Sequence, residues 1–238
     1  MQVYKFLPAE FALEDLRKRR LKISTFEDMN DPFELQGLVL SNPDVQRVLK
    51  SHFLRSYGAL CFSRNCSNPV LWSHYGDKHK GICLGFNISA AVEVHDPLYV
   101  EDRSVLDPGI LLDAAGQGEG LEESDPEFQA SQKVIQTMLL TKFKAWNYED
   151  EVRIFVRLSK NQTGGDLYFY DFDENIRPNL VIAGPRRSVA KSDIEAAVSA
   201  YSPQIIVVQA MLSPNSFEVV EETQAPTPTT GASADLCL

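Results

Sequence analysis

Short strand-like segments alternate with single amphipathic helices along this chain, and this alternation limits the folds open to it. Apolar or alternating stretches occur at residues 2–7, 21–24, 59–63, 81–86, 150–157, 166–172, 179–183 and 204–208. Helical stripes lie between them, at residues 9–20 and 128–146, after Pro43 and after Ser192. Strands separated by single helices and long insertions predict a mixed α+β fold.

The chain's length and punctuation predict one domain. Of the 238 residues, 44% are hydrophobic, which suffices for a single core. We expect one α+β domain over residues 1–222, an acidic loop insertion at about 104–127, and a disordered tail over 223–238. No apolar run reaches membrane-spanning length, no signal peptide is evident, and four cysteines form no disulfide pattern. These features predict a cytoplasmic protein with no membrane partner.

The net charge of −10 is unevenly distributed. Residues 101–127 hold nine acids and one base, and residues 218–238 hold four acids. The remainder, with 20 acids and 22 bases, is close to neutral. Broad duplex binding, which needs many phosphate contacts, is therefore disfavoured, whereas a local pocket for an anionic ligand is not.

The stretch from Lys142 to Arg153 is the richest in chemistry. On one strand, Glu149 and Glu151 would share a face, while Val152 and Ile154 would face a core. Paired carboxylates beside aromatic residues can stabilise an oxocarbenium-like centre, as cleavage of an N-glycosidic bond requires. The spacing equally allows a solvated strand face on which Glu151 pairs with Arg153.

Three other polar stretches are candidates for binding. Asn30 belongs to a turn-prone Asn-Asp-Pro-Phe-Glu cluster, and Ser63 ends a strand. Trp72 and Tyr75 offer rings that could stack on a flat heterocycle, or could simply pack a helix. A zinc site from Cys61, Cys66, His74 and His79 has too short a spacer, so we expect no metal. Serine-hydrolase, P-loop and Rossmann motifs are absent from the sequence.

Taken in order, these motifs resemble one bacterial family. The motifs are Val3-Tyr4-Lys5-Phe6, Asn30-Asp31-Pro32-Phe33-Glu34, Cys61-Phe62-Ser63, Leu71-Trp72-Ser73-His74-Tyr75, Lys80-Gly81-Ile82-Cys83-Leu84-Gly85-Phe86, the Trp146-to-Arg153 stretch and Val181-Ile182-Ala183-Gly184-Pro185-Arg186. Over about residues 2–210 the chain resembles the family called domain of unknown function 2971. That family name implies no activity.

The order of motifs also resembles ADP-ribosyltransferase toxins and abortive-infection proteins. This resemblance implies a split β-sandwich with flanking helices that grips NAD as a substrate. It implies that Glu151 is the catalytic glutamate and Glu149 orients the acceptor. Asn30 would contact NAD, Ser63 would buttress the site, and Tyr75 or Trp72 would stack on nicotinamide. Lys5 stands where such enzymes carry Arg or His, and lysine lacks the bidentate fork of arginine, so Tyr4 is a second candidate contact.

Three functions remain open from the sequence. The first is an ADP-ribosyltransferase acting as a toxin or antiphage effector on a protein or nucleic-acid acceptor, with a possible antitoxin. The second is an NAD glycohydrolase, which uses water instead. The third is a non-catalytic module that binds a nucleotide or a partner. We expect Phe143 and Trp146 to be core residues, and changes at Glu149 or Glu151 to affect activity with little loss of stability.

Overall fold

The computed structural model describes residues 1–106, 126–159, 163–164 and 167–222. The strands are β1 (Gln2–Leu7), β2 (Arg20–Thr25), β3 (Leu38–Leu40), β4 (Tyr57–Ser63), β5 (Ile82–Ile88), β6 (Leu98–Val100), β7 (Ser104–Leu106), β8 (Thr141–Phe143), β9 (Glu151–Arg157), β10 (Thr163–Gly164), β11 (Leu167–Asp171), β12 (Ile176–Ala183), β13 (Ile206–Leu212) and β14 (Val219–Glu221). The helices are α1 (Ala9–Lys18), α2 (Pro43–Ser56), α3 (Pro69–His74), α4 (Pro126–Leu140) and α5 (Lys191–Val198), with a 3₁₀ helix at Lys144–Glu149. The fold is mixed α+β, as the sequence predicts.

A ten-stranded mixed sheet organises the chain. Its order is β10-β11-β2-β4-β1-β5-β12-β13-β14, and β9 pairs with β4 outside this path. The pair β12–β13 is parallel, while β1–β5, β5–β12 and β4–β9 are antiparallel. Two short parallel pairs, β3–β7 and β6–β8, stand apart from the large sheet.

The helices pack against the sheet through the apolar side chains of their amphipathic faces. Ala12 and Leu16 of α1 lie in one cluster with Ile194 of α5, against Leu60 and Phe86 of the sheet. A second cluster, on the side chains that alternate to the opposite face, joins β1 to α3 through Tyr4, Phe6 and Trp72. A third cluster lies under α2 and α4 and is built around Leu38, Phe53 and Met138. Side chains of β1 therefore contribute to cores on both faces of the sheet.

The helical stripe predicted over 128–146 is shorter than expected. Helix α4 ends at Leu140, and the chain then forms β8 and the 3₁₀ helix. Phe143 is consequently 50% exposed and Trp146 is only half-buried, so the prediction that both are core residues is wrong. The change of backbone conformation at Thr141 rotates these side chains off the helical stripe, and Met138 is the stripe residue that is fully buried.

The acidic insertion and the tail fall mainly outside the described residues. Of the loop expected at 104–127, residues 104–106 form β7 and pair with β3, and α4 begins at Pro126. Residues 107–125 and the predicted disordered tail at 223–238 lie outside the described part of the chain. No helix in the described ranges is long and apolar enough to cross a membrane.

Candidate functional site

The large sheet forks at β4, and the fork opens a cleft. One edge of β4 pairs with β9 over the whole strand. The other edge pairs with β2 at Gly58 and Ala59, and with β1 only at Ser63. Residues 60–62 of this edge lie in neither pairing, so β1 and β2 separate there. We call the space beside this separation the fork cleft.

The fork cleft has a volume of about 510 Å³ and gathers most of the predicted site residues. Residues lining it include Tyr4, Lys5, Asn30, Ser63, Tyr75, Glu149 and Glu151. Lys22 and Ser24 of β2 and Lys142 of β8 also line it, and the sequence had not singled these out. Because the residues come from β1, β2, β4, β8, β9 and the segments around α3, the cleft exists only in the folded chain.

The carboxylates of Glu149 and Glu151 meet at the ammonium of Lys142. Lys142 Nζ donates to Glu149 Oε2 and, at 2.8 Å, to Glu151 Oε2. All three side chains are buried, with 5% exposure each. Burial alone would lower the pKa of Lys142, but Glu151 and Glu149 outweigh it and raise that pKa. The ammonium is therefore a permanent bridge between the two carboxylates.

Arg153 is a second cation that holds the Glu151 carboxylate. Its Nε donates to Glu151 Oε1 at 2.9 Å, and its Nη1 donates to Glu34 Oε2 at 2.9 Å. Burial favours a raised pKa for Glu151, but Arg153 and Lys142 outweigh it and lower that pKa to about 2. Glu151 is thus ionised at neutral pH.

We call Glu34, Lys142, Glu149, Glu151 and Arg153 the charge cluster. Three carboxylates and two cations leave it with one net negative charge. Removing one partner from such a buried group leaves an uncompensated charge in the interior, which is destabilising. The expectation that changes at Glu149 or Glu151 leave stability intact therefore needs correction: both side chains are buried and ion-paired. The solvated strand face considered for Glu151 and Arg153 is also excluded by their burial.

Tyr75 connects the charge cluster to the turn at Asn30. The Tyr75 hydroxyl donates to Glu149 Oε1 and accepts from Asn30 Nδ2 at 2.7 Å. Burial, and then the neighbouring Glu149 carboxylate, raises the pKa of Tyr75 well above its ordinary value. The hydroxyl keeps its proton, which fixes it as the donor to Glu149.

Ser63 holds the main chain that carries Glu149. Its hydroxyl donates to the Glu149 carbonyl oxygen at 2.6 Å and accepts from Asn65 N at 3.0 Å. Ser63 is buried and stands directly opposite Glu151 in the β4–β9 register. Ser63 therefore buttresses the site by holding the backbone that carries Glu149.

Lys5 and Tyr4 enter the fork cleft from β1. Lys5 Nζ donates to the carbonyl oxygen of Cys61 at 3.1 Å, where the edge of β4 that faces β1 and β2 is unpaired. Tyr4 is 2% exposed, and burial, with Cys83 as a smaller cause, raises its pKa to about 12. Tyr4 nevertheless contributes to the lining of the fork cleft.

Trp72 does not belong to the site, which corrects the prediction that it stacks on a ligand. It is fully buried in the second core cluster, with its ring 5.1 Å from that of Phe6 in an edge-to-face arrangement. Its Nε1 donates to the carbonyl oxygen of Cys66 at 2.8 Å. Of the two aromatic residues proposed for stacking, only Tyr75 lines the fork cleft.

Sequence reasoning missed Glu34, Lys142 and Arg153 as members of one cluster. Their partners are up to 119 residues away along the chain, so no local pattern links them. A signal was present nonetheless: a lysine and an arginine flank the two glutamates within twelve residues of sequence. Among the residues that the structure describes, no group of three or more His, Cys, Asp or Glu side chains is arranged to hold a metal ion.

Comparison with known proteins supports the family resemblance over part of the chain. Residues 71–154 match the family described as "Protein of unknown function (DUF2971)". No curated protein and no solved structure matches the chain. The matched segment includes α3, β8, the 3₁₀ helix and the first half of β9, and hence Tyr75, Lys142, Glu149, Glu151 and Arg153. The likeness to the family of unknown function DUF2971 therefore covers this segment of the chain.

Proposed function

We propose that this chain is an NAD-dependent ADP-ribosyltransferase that breaks the nicotinamide–ribose bond in the fork cleft. The observation that carries the proposal is that Glu151, Glu149, Tyr75, Ser63, Asn30, Lys5 and Tyr4 all line one cleft where the sheet divides. A sheet that divides around a ligand cleft is the arrangement that the proposed split β-sandwich requires. The biological role that fits it is that of a toxin or antiphage effector.

The electrostatics of the fork cleft suit the proposed reaction. Breaking the bond sends its electron pair to nicotinamide and leaves positive charge on the ribose ring. Glu151, with a pKa of about 2, faces that centre as a preorganised anion. The charge cluster as a whole carries one net negative charge, so it favours the cation. The acceptor nucleophile then bonds to the ribose carbon and loses a proton.

The fork cleft also carries ammonium groups that suit a diphosphate. Lys5 of β1 and Lys22 of β2 line it on strands remote from the glutamates in sequence. Lys22 Nζ lies 3.2 Å from Asp28 Oδ2, and its side chain is 40% exposed. A dinucleotide would lay its diphosphate near these ammonium groups and its nicotinamide ribose near the carboxylates. Tyr75, which is held by Glu149 and Asn30, would then contact the nicotinamide ring.

The experiment is incubation of the protein with labelled NAD and cell lysate, with release of nicotinamide and transfer of label measured together. We expect both in the wild type, and a loss of at least about 100-fold in Glu151→Gln. Glu195→Gln, a change at an exposed glutamate on α5, is the matched control and should retain activity. Tyr75→Phe, which keeps the ring and removes the hydroxyl, should lower the rate without removing it.

Burial of Glu151 requires that folding be checked in parallel. The proposal fails if a folded Glu151→Gln, by circular dichroism and thermal melting, is as active as the wild type. Nicotinamide release without any labelled macromolecule would identify an NAD glycohydrolase with water as the acceptor. Both outcomes are read from the same reaction mixture.

One observation favours a non-catalytic binding module as the second candidate. The Glu151 carboxylate already accepts three hydrogen bonds, from Lys142 and Arg153, which leaves little capacity for a ribose hydroxyl. On this account the fork cleft binds a nucleotide without turnover. Calorimetry that detects NAD binding, with no product over hours, would support it.

A further inference from the structure

Two surface loops pack against each other beyond the end of α3. They are residues 76–81 and 184–188. Arg186 N donates to the His79 carbonyl oxygen at 3.0 Å, and Gly184 N donates to the Gly81 carbonyl oxygen at 2.9 Å. A Cβ on Gly184 would lie 2.5 Å from the His79 oxygen, so the loops approach closely only because this residue is glycine. The two loops thus form one platform.

The platform carries several cations that form no ion pair with a described residue. Lys78, Lys80, Arg186 and Arg187 are exposed and form no ion pair with any described residue. Arg17 of α1 is likewise exposed and unpaired, and it lines a groove of about 390 Å³ together with Asp77 and Ser188 of the two loops. We call these five cations the basic surface. The groove itself holds Arg17 and the two acids Glu10 and Asp77. Counted together with these two acids, the five cations of the basic surface leave three positive charges.

The backbone beneath the basic surface is held in an unfavourable conformation. Asp77, Lys78 and His79 have φ angles of 46°, 53° and 70°, a left-handed run that L-residues other than glycine avoid. His79 N donates to the Trp72 carbonyl oxygen at 3.0 Å, and Gly81 N to the Gly76 carbonyl oxygen at 2.8 Å, which hold the run in place. Strained backbone fixed by its surroundings is concentrated at functional sites.

The basic surface adjoins the mouth of the fork cleft. Pro8 lines both the fork cleft and the groove that contains Arg17 and Asp77. His74, the last residue of α3, lines the fork cleft three residues before Asp77. A polyanion lying on the basic surface would therefore reach the cleft where the carboxylates lie.

We propose that the basic surface binds the phosphodiester backbone of single-stranded nucleic acid and presents that strand to the fork cleft as the acceptor. The binding step stands by itself, whereas the role as acceptor rests on the proposed function. Five cations on a compact surface match a few successive phosphates of a flexible strand, with the fork cleft able to receive an unstacked base. The near-neutral remainder of the body does not supply the wider field that duplex binding needs.

Nucleic acid fits this surface better than an acidic protein does. Protein interfaces depend on large apolar or aromatic side chains at their centre. Residues 76–81 and 184–188 carry no exposed large apolar side chain. Phosphate contacts are made by charged and polar groups, and they need no apolar centre.

The test is fluorescence anisotropy with labelled oligothymidylate and oligouridylate of about 12 nucleotides, at salt concentrations from about 50 to 200 mM. A variant with Lys78→Ala, Lys80→Ala, Arg186→Ala and Arg187→Ala should bind at least about tenfold more weakly. The slope of log K against log salt concentration should become shallower by about 2–3, because each phosphate contact contributes roughly 0.7 to that slope. Arg55→Ala with Lys133→Ala is the control and should bind as the wild type does. It removes two exposed cations, from α2 and α4, that form no ion pair with a described residue.

Each outcome either supports the inference or overturns it. Loss of binding in the four-residue variant alone supports it, and the two probes show whether DNA or RNA is preferred. Equal binding by the variant, no binding by the wild type at low salt, or tighter binding to polyglutamate than to either oligonucleotide overturns it. Because these measurements need no NAD, they stand apart from the Glu151→Gln assay. A variant that transfers label normally but binds no strand would separate the two proposals.

Discussion

The two tryptophans illustrate how burial distinguishes structural residues from residues beside the cleft. Trp72 is fully buried and hydrogen-bonded, whereas Trp146 is half-buried, with its ring 6.0 Å from Tyr148 and 5.3 Å from Lys142 Nζ. Truncating a large side chain in a core lowers the free energy of unfolding far more than truncating one at a partly exposed site. The sequence had suggested the reverse assignment.

We expect Trp72→Ala to lower the free energy of unfolding by about 3–5 kcal/mol and Trp146→Ala by about 1 kcal/mol. Urea denaturation of both variants measures the difference. Trp72→Phe keeps part of the ring volume and should fall between them, which protects the comparison if the alanine variant does not fold. Equal losses at the two positions would contradict the assignment of Trp72 to the core.

Asp15 is a buried acid that the charge cluster does not include. It lies on α1 with 6% exposure, and its carboxylate has no hydrogen-bond partner within the described residues. Burial raises its pKa to about 7, partly opposed by Lys5, with Glu14 adding to the rise. In the unfolded chain its pKa is ordinary, near 4. Between these values the folded state binds more protons, so this group makes stability fall as pH rises from about 4 to 7.

Asp15→Asn should therefore stabilise the protein at pH 8 by roughly 2–4 kcal/mol, and by less at pH 5.5. Urea denaturation at both pH values measures the gain. Glu14→Gln, which changes the exposed neighbouring acid, should give no gain at pH 8. A gain of the same size at both pH values would show that titration of Asp15 is not its source.

At the scale of elements, the 3₁₀ helix and β9 together place the two glutamates. The sequence predicted one strand with Glu149 and Glu151 on the same face. Instead, Glu149 ends the 3₁₀ helix, and Asp150, with φ of 43°, turns the chain into β9. Both carboxylates still reach Lys142, with the left-handed Asp150 between them as the link from the 3₁₀ helix to β9.

Substitutions at Asp150 test this turn. Asp150→Gly should leave stability nearly unchanged, since glycine adopts positive φ readily, whereas Asp150→Val should cost about 1–3 kcal/mol. In Asp150→Val the two carboxylates should also separate, so the proposed NAD cleavage should fall more than it does in Asp150→Gly. Thermal melting and nicotinamide release together provide the measurement. If valine proves as stable and active as glycine, the turn does not position the glutamates.

Several elements were predictable from sequence alone because their signals are local. Strands β1, β4 and β5 lie within two residues of the predicted segments, and Asn42 caps α2 by accepting from Asp44 N and Val45 N, one residue before Pro43. Alternation and capping act within a few residues, so a single sequence contains them. The end of α4 was missed because Phe143 and Trp146 continue the helical spacing of the preceding apolar residues beyond Leu140, where β8 begins and pairs with β6.

The candidate site was predictable only in part. Seven of the eight proposed site residues line the cleft, and only Trp72 was assigned to it wrongly. Glu34, which binds Arg153, was not proposed as a site residue. The fork itself depends on pairing of β4 with β1, β2 and β9, which lie up to about a hundred residues away. Such non-local pairing is decided by tertiary packing, and a local pattern does not contain it.

At the scale of the whole molecule, charge is divided among separate regions. The acids of residues 101–127 and 218–238 account for the net charge of −10, while the remainder is near neutral. Within that remainder, the fork cleft has its carboxylates at Glu149 and Glu151 and ammonium groups at Lys5 and Lys22. A ligand with a cationic ring at one end and a diphosphate in the middle complements this distribution.

The most direct measurement is a crystal structure of the chain with a hydrolysis-resistant NAD analogue. The account predicts the analogue in the fork cleft, with a nicotinamide-ribose hydroxyl within about 2.6–3.2 Å of the Glu151 carboxylate and the diphosphate beside Lys5 or Lys22. An analogue bound outside the cleft, or with its ribose distant from both glutamates, would contradict the account.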